Sequence, residues 1–381
     1  MKTAQIRISA EQDAASALAP LSALAPHLVL AFGDVGLVAS PAFAKALAAA
    51  FPQAVVAGCS TAGEISSQGV SDGGCVVTAV RFASAKVQAV RTRLADMADS
   101  RAAGERLASQ ISRDALAGVL VFGQGVRING SALVEGLASG LPPGLPITGG
   151  LAGDGGAFQH TWVLDGAAPS DDGIVALGLH GASLRFTHGS FGGWQVFGPA
   201  RKVTRAAGNV LHELDGEPAL DVYKRYLGDH AKDLPASGLL FPFAMLGDDH
   251  AATGLIRTIL AVDAAEGSLT LAGEIFEGGF LKLMHASTDA LVNGAEAAAE
   301  AARAMPGSPD EGLALLVSCV GRKLVMGGRV DEEVEAVGAV LGQGATLAGF
   351  YSYGEISPFS PSPDCKLHNQ TMTITWLGEA A

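Results

Sequence analysis

Two ten-residue segments near opposite ends of the chain share the pattern A-G-x-x-x-x-G-E-I-S. They span residues 57–66 and 348–357, and they match at both ends but differ in the middle. In each, an apolar run with strand character leads into a tight glycine turn that delivers a carboxylate, Glu64 in the first and Glu355 in the second. The duplication predicts two related halves that each present a similar loop.

The context of the two segments indicates a larger repeating unit. A strand, a helical stretch and a second strand precede each glycine turn, and a third stretch of the chain has the same order. The three predicted units span residues 28–66, 119–154 and 313–357. Right-handed crossovers place the carboxyl ends of such parallel strands at one edge of a sheet, where open α/β proteins usually bind ligands. The repeat therefore predicts a mixed α/β fold with its glycine turns near a ligand site.

The length of the chain favours two domains, because 381 residues are many for a single hydrophobic core. We expect an N-terminal extension over residues 1–26, a first domain over 27–205 and a second over 206–381. Each domain should hold a mixed sheet flanked by helices. The glycine- and aromatic-rich residues 181–199 are expected to cross between the two halves.

The composition argues against membrane and nucleic-acid partners. Hydrophobic residues form 49% of the chain, but no apolar stretch approaches the roughly 20 residues that a helix needs to span a bilayer. The amino terminus lacks the continuous apolar core of a signal peptide, so we expect a soluble, cytoplasmic protein. The formal net charge of −13, without a basic run, disfavours contacts with phosphate backbones.

The cysteine spacing argues against a zinc ribbon and against a redox pair. The chain has four cysteines and no C-x-x-C motif. We expect free thiols in a reducing compartment, with no metal ligands and no catalytic residues.

Polar side chains near the second glycine turn are predicted to form a ligand pocket. Arg322 follows an apolar strand, and a guanidinium can bind a carboxylate or phosphate through two hydrogen bonds. Glu355 could bind an amino group, or pair with Arg322 when no ligand is present. Together they predict an amino-acid-like ligand, and the alternative is a purely structural Arg–Glu ion pair. The other predicted ligand contacts are Tyr351, Tyr353, Cys319, His368, Asn369 and Trp194.

Several of these residues have an equally simple structural interpretation. Cys59 and Cys319 are either small apolar core residues or reactive thiols, and Cys319 is the better candidate because Arg322 could lower its pKa. Trp194 either packs in the core or lines the pocket, and Asp154 either organises its own turn or contacts a ligand. The residues expected to shape the glycine turns are Gly58, Gly63, Glu64, Gly149, Gly150, Asp154, Gly349 and Gly354.

In series, these motifs resemble the FIST family, whose members pair a FIST N-terminal with a FIST C-terminal domain. The segments that carry the resemblance are residues 58–64, 149–154, 209–220, 318–322, 349–356 and 367–369. The resemblance implies an intracellular sensory module for small molecules. It further implies an input module that signals through a separate partner, such as a histidine kinase or a cyclic-di-nucleotide signalling protein.

Two alternative functions remain open at this point. The oligomeric state is also open, and a homodimer is possible. Some FIST-family members are described as haem-binding nitric-oxide sensors, and a non-covalent haem would need an axial ligand such as a histidine. The second alternative is an enzyme that uses Cys59, Ser60 or Cys319 as nucleophile, although no G-x-S-x-G motif is present. The candidate axial ligands are His188, His212, His285 and His368.

Overall fold

The computed structural model describes residues 1–9, 11–166, 168–358 and 364–380. Within these ranges the fold is mixed α/β, as the sequence predicts, and the strands form four sheets. In chain order the strands are β1 Lys2–Ser9, β2 Leu28–Gly33, β3 Val55–Ser60, β4 Glu64–Ser66, β5 Gly69–Ser71, β6 Gly74–Arg81, β7 Lys86–Arg93, β8 Leu116–Gly123, β9 Ile147–Leu151, β10 Val163–Leu164, β11 Pro169–Ser170, β12 Gly173–His180, β13 Leu184–Phe191, β14 Gln195–Ala207, β15 Val210–Leu214, β16 Glu217–Pro218, β17 Phe243–Leu246, β18 Ala252–Arg257, β19 Ile259–Asp263, β20 Ser268–Leu271, β21 Phe280–His285, β22 Gly312–Cys319, β23 Ala345–Ser352, β24 Gly354–Pro358, β25 Cys365–His368 and β26 Met372–Glu379. The α-helices are α1 Ala14–Ser22, α2 Val35–Val38, α3 Pro41–Ala50, α4 Ser100–Gln110, α5 Gly130–Ser139, α6 Ala219–Leu227, α7 Thr288–Ala304, α8 Val320–Met326 and α9 Asp331–Leu341.

Three units of the chain share one topology, which confirms the predicted repeat. In each unit two parallel strands are joined by a crossover that contains a helix: β2 with β3, β8 with β9, and β22 with β23. A further strand, β6, β12 or β26, lies antiparallel on the other side of the first strand. The strands β1, β7 and β13 then pair with β6, β12 and β26. Each unit therefore builds the same four strands of a six-stranded sheet.

A glycine at the same position of each unit brings the two parallel strands close together. A Cβ atom added at this glycine would lie within 2.0 Å of a carbonyl oxygen on the facing strand. The three pairs are Gly58 with Ala31 at 1.8 Å, Gly149 with Val121 at 2.0 Å, and Gly349 with Leu316 at 1.8 Å. Only glycine lets the backbones approach so closely, so the repeated glycine has a packing role.

The three units interlock through exchanged hairpins. The hairpin β4–β5 follows β3 in the chain but pairs with β23 of the third unit. The strands β10 and β11 extend the sheet of the first unit through β3, and β24 and β25 extend the sheet of the second through β9. Each unit thus completes the sheet of another unit in a cyclic order, so strands from both halves of the chain share sheets.

Three phenylalanine rings, one from each unit, meet in the core between these sheets. The ring centroid of Phe32 lies 5.4 Å from that of Phe122 and 4.7 Å from that of Phe350. All three side chains are fully buried. Burial of one such ring contributes roughly 1.5–3 kcal/mol, so this shared core stabilises the arrangement of all three units.

The helices begin at side-chain caps and pack through small residues. Ser40, Asn129 and Ser287 accept backbone N–H groups at the first turns of α3, α5 and α7. The alanine-rich helix α7 lies so close to β13 that a Cβ on Gly189 would be 2.0 Å from the carbonyl oxygen of Ala298. The alanines of α7 thus permit close helix–sheet packing. Of the helices in the described ranges, none is long and apolar enough to cross a membrane.

The structure corrects two details of the predicted organisation. Residues 181–199 are not a simple crossing segment, because they contain β13 and the start of β14. The many glycines in this segment are atypical of a strand, so the sequence pattern did not predict β13. One of them, Gly189, leaves room for α7 to pack against β13. Residues 1–26 include β1, which forms a regular ladder with β6 and is thereby part of the first sheet. The fourth sheet has the order β18-β17-β21-β14-β15-β20-β19.

Candidate functional site

The three glycine turns meet one another through a cyclic set of backbone hydrogen bonds. In each turn, the N–H four residues after the repeated glycine donates to a carbonyl oxygen of another turn. That carbonyl stands two residues after the glycine of its own unit. The three bonds run from Ala62 to Tyr351 at 2.8 Å, from Gly153 to Ser60 at 2.9 Å, and from Tyr353 to Leu151 at 3.1 Å. The duplicated turns are therefore neighbours in one site.

The two duplicated carboxyl groups have equivalent local contacts. Thr61 donates its hydroxyl to Oε1 of Glu64 at 2.9 Å, and Ser352 donates its hydroxyl to Oε1 of Glu355 at 2.7 Å. The backbone N–H and hydroxyl of Thr371 donate to Oε2 of Glu355 at 3.1 and 3.0 Å. In both copies the residue three positions before the glutamate supplies the hydroxyl, so the turns are structural duplicates as well as sequence duplicates.

Burial changes the ionisation of both carboxyl groups. Burial raises the pKa of Glu64 to about 7, against the smaller opposing effect of the hydrogen bond from Thr61. Burial raises the pKa of Glu355 to about 8, and the hydrogen bonds from Ser352 and Thr371 offset only part of this effect. Glu355 is therefore largely protonated at neutral pH, which weakens it as a partner for a ligand ammonium group.

Arg322 pairs with Glu333, so the predicted pairing with Glu355 is wrong. Its Nη2 lies 2.8 Å and its Nε 3.1 Å from Oε2 of Glu333, and neither side chain is exposed. Nη2 also donates to the carbonyl oxygen of Leu291 at 2.8 Å, and Nη1 donates to that of Gly192 at 2.5 Å. Every guanidinium nitrogen therefore has an acceptor within the protein. Arg322 thus belongs to a structural ion pair, with Glu333 as its partner.

Glu333 also binds two hydroxyl groups. Oε1 of Glu333 accepts the hydroxyl of Ser318 at 3.0 Å and the hydroxyl of Tyr351. Burial and the neighbouring carboxylate raise the pKa of Tyr351. Tyr351 is thus part of the ion-pair network, and its predicted role as a ligand contact stays a prediction.

The segment between β25 and β26 carries two buried acceptor atoms without a partner among the described residues. They are Oδ1 of Asn369 and Oε1 of Gln370, whose side chains are 1% and 0% exposed. Gln370 has a φ of 62°, an uncommon conformation for a residue with a side chain. Its Nε2 donates to the carbonyl oxygen of Leu239 at 2.9 Å, and its own carbonyl accepts the indole N–H of Trp194 at 2.8 Å.

This segment lies beside Glu355 and the end of β22. Glu355 is paired with His368 in the β24–β25 ladder and binds Thr371 directly. Gln370 touches Gly321, where an added Cβ would lie 2.4 Å from its Nε2. We call Glu355, Asn369, Gln370 and Thr371 the polar cluster. In this cluster Glu355 contacts Thr371, Trp194 contacts Gln370, and the predicted residue Asn369 lies directly before Gln370 in the same segment.

His368 is oriented by the same ladder. Its Nε2 lies 3.0 Å from the carbonyl oxygen of Ser357. Burial lowers the pKa of His368 to about 4, so the imidazole is neutral at physiological pH. The predicted role of His368 as a ligand contact stays a prediction.

Tyr353 and Asp154 form a separate contact on the other side of the turns. The hydroxyl of Tyr353 donates to Oδ1 of Asp154, and the Tyr353 ring stacks on Phe158 with centroids 4.0 Å apart. Asp154 also accepts the backbone N–H groups of residues 158–160. Asp154 therefore organises its own loop, in line with the structural interpretation.

Lys323 links the first turn to α8, a contact that no local pattern predicted. Its Nζ donates to the carbonyl oxygen of Ala62 at 2.9 Å and to Asp72, and it lies 5.5 Å from the ring centroid of Tyr351. A Cβ on Gly63 would lie 2.5 Å from Nζ, so this glycine makes room for the lysine. The remaining turn glycines, Gly150 and Gly354, face Val317 and Leu367 across the sheet junction.

Glu333 is the main functional residue that the sequence analysis missed. It stands in an acidic run, residues 331–333, which is typical of an exposed helix start. The signal was present in the helical spacing, because Glu333, Val337 and Leu341 lie on one buried face of α9.

The cysteines do not have the environment of nucleophiles. Burial raises the pKa of Cys59 and of Cys319. At Cys319 the charge of Arg322 acts in the opposite direction but is only a minor cause, so the expected activation by this arginine is wrong. The hydroxyl of Ser60 donates to the carbonyl oxygen of Gly153 at 2.7 Å and accepts the N–H of Trp162 at 2.9 Å. The Ser60 hydroxyl is therefore held by two backbone groups, and both thiols are buried.

The candidate axial ligands for haem do not share an element. His188 lies on β13, His212 on β15, His285 on β21 and His368 on β25, which belong to three different sheets. Their placement singles out no axial ligand, so we assign no role to haem. Among the residues that the structure describes, no group of three or more His, Cys, Asp or Glu side chains could hold a metal ion.

Comparisons with known proteins find two domain families in this chain. A model of the FIST N domain matches residues 27–217, and a model of the FIST C domain matches residues 219–358. An uncharacterized protein of Methanocaldococcus jannaschii, MJ1623, is 33% identical over 89 residues. That similarity covers 23% of this chain and 17% of MJ1623, so the chain matches less than a fifth of the length of this relative.

Proposed function

Since this chain belongs to the FIST family, we propose that it senses a small molecule at the polar cluster of Glu355, Asn369, Gln370 and Thr371. FIST domains are associated with sensing in signal transduction. The single observation that carries the location is the pair of buried acceptor atoms, Oδ1 of Asn369 and Oε1 of Gln370, that lack a protein donor in the described structure. Burying such an oxygen without a hydrogen bond costs about 1–3 kcal/mol, and a ligand N–H group would recover that cost.

The chemistry of the cluster favours a ligand that donates hydrogen bonds. The carboxyl group of Glu355 binds Thr371, which directly follows the two residues that carry the amide oxygens. The guanidinium of Arg322 is not free for a ligand, because Glu333 and backbone carbonyls accept all of its hydrogen bonds. An amino-acid-like ligand would present its ammonium group to these oxygens. Its carboxylate would need a partner other than Arg322.

The contact between Gln370 and Leu239 offers a way to transmit the binding event. Leu239 belongs to a short 3-10 helix, Ala236–Leu240, which covers the cluster from the second domain. A ligand N–H group that binds Oε1 would move the Gln370 amide, and such a movement would weaken the hydrogen bond that Nε2 donates to Leu239. The response would thereby reach the surface of the second domain.

The output is proposed to pass to a separate signalling partner, a histidine kinase or a cyclic-di-nucleotide signalling protein. An input module of this type changes the activity of its partner according to the ligand. Autophosphorylation of a candidate kinase, measured with and without the chain and its ligand, tests this step. If the protein changes the autophosphorylation rate neither with nor without its ligand, the kinase is not its partner.

A sensor without catalysis is also favoured by the state of the candidate nucleophiles. Burial raises the pKa of the Cys59 and Cys319 thiols, so little thiolate is present at neutral pH. The Ser60 hydroxyl is engaged with backbone groups. These observations support the non-catalytic proposal over a thiol- or serine-dependent enzyme.

A thermal-shift screen of amino acids, primary amines, amides and nucleotides tests the ligand site. A ligand at 100 times its dissociation constant should stabilise the protein by about 2.7 kcal/mol. Asn369→Ala should remove this response. Thr187→Val is the matched control, because Thr187 Oγ1 is another buried atom without a partner but lies on β13. Thr187→Val should keep the response, and a response that persists in Asn369→Ala would place the site elsewhere.

A further inference from the structure

Among the described residues, Arg257 is a buried cation with no carboxylate in salt-bridge contact, and the charge of Glu274 acts on it only from a longer distance. It is the last residue of β18 and is 5% exposed. Its Nε donates to the carbonyl oxygen of Glu274 at 3.0 Å, and its Nη1 donates to that of Ile256 at 3.1 Å. Among the residues that the structure describes, no carboxylate oxygen lies within salt-bridge distance of this guanidinium. This arrangement differs from Arg322, whose charge is neutralised by Glu333.

The loop after β20 packs closely against this guanidinium. A Cβ on Gly273 would lie 2.8 Å from Nε and 2.9 Å from Cζ of Arg257, and Gly273 has a φ of 143°. A larger residue would displace the guanidinium, so the loop is shaped around the charge. Burial lowers the pKa of Arg257 to about 10, which leaves it protonated at neutral pH.

The guanidinium lines a small cleft of about 80 Å³ between the two halves of the chain. One wall is α5 of the second unit, and the other walls are β18, the loop after β20 and β25. The apolar side chains Leu255 and Phe276 also line it, and Phe276 is 65% exposed at the surface. An exposed aromatic ring beside a buried cation suits a molecule with one anionic group and an apolar body.

The charges around the cleft favour a single negative charge on that molecule. Lys366 adds a second cation to the lining, while Glu135 and Glu274 add two carboxylates. The carboxylate of Glu274 is held by the side-chain amide of Asn129 at 3.4 Å. The two cations and two carboxylates give the lining no net formal charge. A monoanion can pair with Arg257, whereas a phosphate dianion would face repulsion from the two glutamates.

We propose that this cleft binds a small organic acid, with its carboxylate on Arg257 and its apolar body against Leu255 and Phe276. The carboxylate matches the planar fork of the guanidinium. The ligand would contact α5 from the first domain and β18 from the second, and would thereby hold the two halves together. The site is separate from the polar cluster and does not depend on the function proposed for it.

Titration calorimetry of the full chain with benzoate, phenylacetate, benzamide and phenyl phosphate tests this proposal. Benzoate or phenylacetate should bind, and the neutral isostere benzamide should bind at least about tenfold more weakly, because it lacks the charge. Arg257→Gln should weaken carboxylate binding by about tenfold or more. Binding of benzoate should be retained in Asn369→Ala, so that failure of this site and failure of the polar cluster are distinguished.

Surface variants keep the test decisive if Arg257→Gln does not fold. Phe276→Ala and Lys366→Gln should each weaken carboxylate binding about threefold or more, whereas the exposed controls Leu324→Ala and Lys232→Gln should not. Four results would overturn the proposal. They are the absence of carboxylate binding, equal binding of benzamide, tighter binding of phenyl phosphate than of benzoate, and benzoate binding that none of the cleft variants weakens.

Discussion

The guanidinium of Arg322 lies 2.8 Å from the carboxylate of Glu333, and neither side chain has any exposed surface. The pair joins α8 to α9, and its remaining hydrogen bonds reach Leu291 at the start of α7 and Gly192 between β13 and β14. Burying two charges is favourable only when their remaining donors and acceptors are also satisfied. The backbone carbonyls, Ser318 and Tyr351 meet that requirement, so this network fixes the position of the three helices behind β22 and β23.

Removing one partner of this pair should strongly destabilise the protein. Glu333→Ala leaves a buried, uncompensated guanidinium, and we expect a loss of about 3–5 kcal/mol in the free energy of unfolding. The double variant Arg322→Met with Glu333→Leu should recover most of that loss. Chemical denaturation measures both. Arg329→Ala, which removes an exposed arginine from its ion pairs, serves as control and should cost less than about 1 kcal/mol. A loss for Glu333→Ala as small as that of the control would contradict the assignment.

The repeated glycine should tolerate no side chain. In Gly349→Ala the new methyl group would lie 1.8 Å from the carbonyl oxygen of Leu316, and the parallel strands must separate. We expect a loss of about 3 kcal/mol or an insoluble protein. Gly328→Ala is the matched control, because no atom lies within 4 Å of its added Cβ. Equal midpoints of thermal unfolding for the two variants would show that the close strand approach is not required.

The stability of the protein should fall as the pH rises towards 8. The pKa of Glu355 is raised from an ordinary value of 4.5 to about 8 in the folded state, so the folded protein binds this proton more tightly than the unfolded chain. The stabilisation is complete below about pH 4.5 and is lost as the pH rises through about 8, with a slope of at most about 1.4 kcal/mol per pH unit.

Glu355→Gln should reduce that slope. The amide can keep the hydrogen bonds to Ser352 and Thr371 but cannot ionise. Glu64, whose pKa is raised from 4.5 to about 7, should contribute a second pH dependence over a narrower pH range, and Glu64→Gln should remove it. Denaturant unfolding at several pH values between about 5 and 8 measures this effect. Glu300→Gln, at an exposed position of α7, should leave the slope unchanged. A slope that Glu355→Gln does not alter would mean that this carboxyl ionises normally.

The cysteines should react slowly with thiol reagents while the protein is folded. All four are buried, and burial raises the pKa of each thiol. We expect that DTNB labels few thiols in native buffer and all four after denaturation. Cys319→Ala removes the residue nearest the ion pair and should leave the native labelling rate unchanged. Rapid native labelling that this variant abolishes would show Cys319 to be reactive.

Local sequence patterns determined most of the repeating architecture. Each element of the repeat could be predicted because it has its own periodicity or turn residue. These elements are the apolar strands β2, β8 and β22, the helices α3, α5 and α9, and the glycine turns. The duplicated pattern predicted equivalent positions for Glu64 and Glu355, and the hydroxyl groups that donate to them confirm this equivalence. The weaker elements, such as β13 and β1, were missed because their glycines or mixed polarity do not stand out along the chain.

The tertiary structure decided which of these pieces meet. The sequence patterns predicted that Arg322 could pair with Glu355. In the structure Arg322 pairs with Glu333, because the buried face of α9 is turned towards α8. Likewise, no local signal could show that each hairpin completes the sheet of another unit, since strand pairing between distant segments depends on the packing of the whole core. The sequence alone determined that the glycine turn is repeated. Long-range packing decided which charges are neutralised within the protein, as at Arg322, and which are left for a ligand, as we propose for Arg257.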